Sequence, residues 1–152
     1  MSALLNYSTT IAADKTIGEI MGLLAKAGAR SVMTDYHDDG SGEPVALHFL
    51  LRTPAGPVGY RLPANVEATL CVLTRQYEAG QIQRRFVRRE QATRISWRII
   101  KDWVEAQLAI IATEMVGFDQ VMLPYRLYAG RQTVYDAIID GTLALPAPNK
   151  RE

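Results

Sequence analysis

The chain has 152 residues, 48% of them hydrophobic and 22% charged, and its 17 Lys and Arg against 16 Asp and Glu leave a net charge of +1. That length buries a core without staples, and the composition excludes a disordered or fibrous chain. No apolar run reaches the roughly 20 residues of a membrane span, and a lone cysteine, Cys71, excludes an intramolecular disulfide.

In chain order, "NYSTTIAA" reads as a first strand, rich in β-branched and aromatic residues. "TIGEIMGLLAKAG" follows as a helix, with Thr16 and Glu19 in capping-box spacing and Gly28 as its stop. "RSVMTDY" reads as a second strand and the acidic "HDDGSGEP" as its turn. "VALHFLLR" and "VGYRLP" are two further strands joined by Thr53-Pro54-Ala55-Gly56, with proline and glycine where a tight turn prefers them. A hairpin there puts Leu47, Phe49, Leu51, Val58, Tyr60 and Leu62 on one face, the core, and His48, Leu50, Arg52, Gly59 and Arg61 on the other.

Asn65 is placed to cap the next helix, "VEATLCVLTRQY", whose stripe is Val66, Leu70, Leu73 and Tyr77. Cys71 inside it reads as a small buried hydrophobe. "QIQRRFVR" leads into the longest helix, "EQATRISWRIIKDWVEAQLAIIATEM", with Ala92, Ile95, Ile99, Trp103, Ala106 and Ile110 at spacings of three and four. After Pro124, Thr133 and Asp136 begin a short helix, "TVYDAIIDG". The order β-α-β-β-β-α, then a long and a short helix, predicts an α+β domain over 1–146: a small antiparallel sheet packed by helices, with a tail at 147–152.

Charge is the strongest functional signal. From Arg75 to Lys101 eight cations face only Glu78 and Glu90, a net +6 that leaves −5 on the rest of the chain. All but one are arginine, the residue suited to bidentate phosphate contacts and to stacking on bases. Within "QRRFVRREQATRISWR" the candidate nucleic-acid ligands are Arg84, Arg85, Arg88, Arg89, Arg94 and Arg98. Phe86 or Trp97 would supply a stacking plane, and Arg52 and Arg61 on the outer sheet face would extend the phosphate track. Trp97 has a competing reading as a packing residue, and the whole segment has one as a surface that docks onto an acidic neighbouring copy.

Other constellations fall short. Asp35, His37, Asp39 and Gly40 match the first half of a calcium loop, but its twelfth position is Ala46 rather than Glu. A solvated acidic turn is the better reading, with a one-metal site at His37 as the remaining option. Nucleophile elbow, phosphate loop, dinucleotide fingerprint and paired-cysteine zinc motif are all missing from the sequence. No catalytic residue, metal ligand or cofactor is assigned.

The helix–three strands–helix order is similar to that of double-stranded-RNA-binding domains and of the annealing cores of phage recombination proteins. "PANVEATL" stands where the former carry a basic cluster. Across positions 16–145, "GEIMGLLAKAGARSVMTDY", "GEPVALHFLL" and "SWRIIKDWVEAQLAIIATEMV" resemble small proteins of bacteriophages and prophages, a family with no activity to carry over. The resemblance implies a phage-type setting in the host cytoplasm. That location agrees with an N-terminus lacking both a basic n-region and a long apolar h-region.

Together these observations predict a phage-type protein that binds nucleic acid, single-stranded DNA foremost, as a homo-oligomer and without a membrane. Two alternatives are an inhibitory or sequestering protein that takes a small phosphorylated nucleotide or a host protein, and a purely structural assembly subunit.

Overall fold

The computed structural model describes residues 2–130 and 132–148; of the expected tail, 149–152 lie outside the described residues. The elements are α1 (Ala13–Lys26), β1 (Ala29–Tyr36), β2 (Pro44–Thr53), β3 (Gly56–Pro63), α2 (Val66–Glu78), a 3-10 turn (Arg84–Phe86), α3 (Arg89–Ala112), α4 (Phe118–Met122), a second 3-10 turn (Leu123–Tyr125), β4 (Leu127–Ala129), β5 (Gln132–Thr133) and α5 (Val134–Ile139). The protein is α+β, as its pattern predicts.

β1, β2 and β3 form an antiparallel sheet in that order. The β2–β3 turn is the expected two-residue one: Thr53 pairs with Gly56, and the Thr53 hydroxyl donates to the Gly56 carbonyl at 2.7 Å. Gly56 takes φ +116°, open to glycine at no steric cost. Cross-strand pairs Leu47–Leu62, Phe49–Tyr60 and Leu51–Val58 put the predicted apolar set on one face. Phe49 and Tyr60 stack there with centroids 5.1 Å apart, and Phe118 stands edge-on to both.

α1 and α3 close over this face. Ile17, Ile20 and Leu24 from α1 and Trp97 and Val104 from α3 join Leu47, Phe49, Tyr60 and Leu62 in one cluster. A second cluster unites Val66 and Leu73 of α2 with Ile82, Ala92 and Ile95. α3 packs against both α1 and α2, so its N-terminal half is covered on several sides. That explains a departure from the single predicted stripe. Gln91, Thr93, Ser96 and Trp97 are buried alongside Ala92 and Ile95, whereas Ala106 and Ile110 in the C-terminal half are exposed.

Four further expectations are corrected. Residues 5–8 form a turn and 9–12 belong to no strand, so the expected first strand is missing. α1 starts at Ala13 with no side-chain cap, and Thr16 is a buried residue of its first turn rather than the cap. Cys71 is exposed, as is Tyr77 at 41%, because α2 turns Val66, Leu70, Leu73 and Gln76 inward. α3 ends at Ala112, not Met115, because Glu114 adopts φ +63°. Asn65 does cap α2, accepting from the Ala68 N–H at 3.0 Å. Thr133 and Asp136 do form the capping box of α5.

Candidate functional site

The N-terminal segment is held by two buried glutamines. The Gln91 amide donates to the carbonyls of Tyr7 and Thr9, both at 2.9 Å. The Gln76 side chain accepts from the Leu4 N–H at 3.0 Å and donates to the Ser2 carbonyl. The segment lies along the 3-10 turn and the start of α3, with Tyr7 edge-on to Phe86 at 5.2 Å.

A groove runs between them. One depression of ≈ 410 Å³ is lined by Ser8, Thr9 and Thr10 on one wall, Arg85, Phe86 and Arg88 on the other, and Gln91 and Arg94. A second of ≈ 330 Å³ shares Ser8, Arg85 and Phe86 and reaches back to Gly80. On the other side Arg94 borders a third of ≈ 410 Å³, whose walls carry Asp14, Asp39, Glu43 and Glu90. The groove therefore changes sign across Arg94.

The ten predicted ligands divide sharply. Arg89 makes a two-point contact with Glu43 (2.7 and 3.0 Å) and a third hydrogen bond to Glu67 at 2.8 Å. These hydrogen bonds and carboxylate charges hold its guanidinium well above the ordinary arginine range. Arg98 is paired with Glu19 of α1 at 2.7 Å, and Arg94 with Glu90 at 2.8 Å. Arg88 makes only a 3.9 Å approach to Glu90. Among the described residues Arg84 has no ion pair, and Arg85 has none but lies 4.7 Å over the Phe86 ring. Arg84, Arg85 and Arg88 are all exposed.

Neither aromatic offers a free plane. Trp97 is fully buried, with its indole N–H donating to the Pro44 carbonyl at 3.2 Å. Phe86 is half-buried between Tyr7 and Arg85. Arg61 and Arg52 do not extend the track. Arg61 lies on the sheet face opposite α3, beside Asp35 (4.0 Å), which is also bonded to His48 at 2.7 Å. Arg52 lies eight residues along β2 from Pro44, about 26 Å away in an extended strand.

The acidic turn is local bookkeeping. The Ser41 N–H donates to the Asp39 carboxylate and the Asp39 N–H to His37 Nδ1, and the bonds from Ser41 lower the Asp39 pKa. Among the described residues no three His, Cys, Asp or Glu side chains come together as a metal-binding group, and no helix is long and apolar enough to cross a membrane.

Sequence reasoning missed the hydroxyl wall and its anchor. The nearest signal was Gln91, a polar residue one turn before Ile95 on the inward side of α3. Fold and groove define an α+β protein with a short arginine and hydroxyl cleft. No family model, curated protein or solved structure matches the chain.

Proposed function

We propose that this protein binds nucleic acid, single-stranded DNA foremost, in the groove between residues 7–10 and 84–94, as a homo-oligomer in a phage-type setting. The observation that carries the proposal is the pairing pattern. Arg84, Arg85 and Arg88 stay exposed and lack a close carboxylate; Arg85 and Arg88 line the cleft, Arg84 stands next to them in the 3-10 turn, and Ser8, Thr9 and Thr10 add hydroxyls across it. Guanidinium forks and hydroxyl donors are the groups that bind phosphate oxygens. With Trp97 buried and Phe86 held between Tyr7 and Arg85, the contacts run to the backbone rather than to bases.

The test is fluorescence anisotropy with labelled single-stranded DNA of several lengths across a salt series. Three phosphate contacts give log K a slope of about −2 against log salt, from about −0.7 per contact on single strands. Arg84→Ala with Arg85→Ala is expected to weaken binding and flatten that slope to about −0.7, with the melting temperature little changed. Loss of stability in step with loss of binding would overturn the reading.

The runner-up, sequestration of a small phosphorylated nucleotide, is favoured by the cleft's volume. A volume of ≈ 410 Å³ falls in the range of small-molecule sites, roughly 300–1,000 Å³. Affinity independent of strand length and matched by a mononucleotide would select it.

A further inference from the structure

From the change of sign along the groove we infer that the cleft takes the phosphorylated end of a strand, a terminal phosphate monoester, in preference to internal phosphodiesters. The inference rests on the nucleic-acid reading and deepens it.

A continuous track would have to run on from Arg94 into the next depression. There a strand meets Asp14 from the first turn of α1, Asp39 and Glu43 from the β1–β2 loop, and Glu90 from α3. Glu43 is neutralised by Arg89, and Glu90 is drawn toward Arg94, but Asp14 and Asp39 are exposed and have no arginine partner among the described residues. A further phosphate on that side is repelled. The strand can enter from the Gly80 side, past Arg85, and must stop near Arg94.

The chemistry of the stop favours a monoester. An internal diester carries one charge and two free oxygens. A terminal monoester carries between −1.5 and −2 at neutral pH and three acceptor oxygens. Arg85 and Arg88, neither held by a close carboxylate, line one cleft with Arg94, which also holds Glu90, and with the Ser8, Thr9 and Thr10 hydroxyls opposite, more donors than a diester can use. The first turn of α3, uncapped by any side chain, borders the same cleft and favours the higher negative charge.

The experiment compares one oligonucleotide sequence in four forms, 5′-phosphorylated, 3′-phosphorylated, with hydroxyl ends, and circularised, together with a nucleoside monophosphate. One phosphorylated linear form is expected to bind about tenfold tighter than the hydroxyl-ended strand, the scale of one further charge-assisted hydrogen bond, with the circle weakest. Arg88→Ala should remove that preference. Asp14→Asn with Asp39→Asn should raise the affinity of the circle. Equal affinity for all four strands, rising with length, overturns the end-capture inference and leaves nucleic-acid binding standing. Binding of the monophosphate but of no strand sinks the nucleic-acid reading and keeps the monoester site. Absence of binding to every probe sinks both.

Discussion

At the scale of single residues, the fold turns one arginine run into two populations. Arg89 ties the β1–β2 loop (Glu43) and α2 (Glu67) to the start of α3, so its charge serves the fold. Arg89→Ala is expected to lower the melting temperature, by less at high salt because the exposed part of the network is screened. Its effect on DNA affinity should be smaller than that of the Arg84 and Arg85 pair; a thermal scan and a titration in two salts check both. Trp97 is the converse case. With zero exposure and a satisfied indole, it belongs to the core. Trp97→Ala is expected to cost about 3–5 kcal/mol in denaturant unfolding, whereas a ligand-stacking tryptophan would lose affinity at unchanged stability. The cluster itself was legible as eight cations against two local acids. That Glu19 arrives from α1 to pair Arg98, and Glu43 and Glu67 from the β1–β2 loop and α2 to pair Arg89, was not, because local charge counting sees none of the tertiary pairings.

At the scale of elements, strong periodicity carried through and weak periodicity did not. β2 and β3 were legible down to their facing pairs, since alternation and a two-residue turn leave one register. Asn65 and Thr133 announced their helices because an N-cap needs a side-chain oxygen at that position. The segment 6–13 failed as a strand because it finds no partner strand; its Tyr7 and Thr9 carbonyls accept instead from the Gln91 side-chain amide of α3. β4 and β5 are too short to register, and the isolated bridge between Tyr60 and Arg126 that attaches them beside β3 is a long-range event. Leu127 reaches Gly59 so closely that an added Cβ would stand 3.0 Å from its Cδ1. The tether at Gln91 is therefore the element-level test. Gln91→Leu keeps the volume but strands the Tyr7 and Thr9 carbonyls, a cost of about 1–3 kcal/mol. Faster amide exchange over residues 2–12 and a widened groove with weaker DNA binding are expected; unchanged exchange there would show that the glutamine does not hold the segment.

At the scale of the whole molecule, a buried phenol is one of the links between the sheet and the C-terminal segment. The Tyr60 hydroxyl donates to Asp119 at 2.7 Å, and Arg126 holds the other oxygen of that carboxylate at 2.8 Å, linking β3, α4 and the lead-in to β4. Burial first, then the bond to Asp119 and its charge, push the Tyr60 pKa far above the usual tyrosine value. The folded state thus keeps this proton after the unfolded chain has lost it. Its contribution is complete below about pH 10, the pKa of a tyrosine in an unfolded chain, and falls as pH rises beyond that. Wild-type stability should decline above pH 10 more steeply than that of Tyr60→Phe. At neutral pH Tyr60→Phe should be the less stable of the two, having lost a hydrogen bond to a carboxylate. Unfolding by urea at pH 7, 9, 10 and 11 reads both effects, and parallel curves would show that the phenol is not what couples the C-terminal segment to the sheet. The proposed strand site lies apart from this link, in the groove at the start of α3. Tyr60→Phe is therefore expected to leave DNA affinity at pH 7 unchanged, which separates what holds the molecule together from what lets it bind.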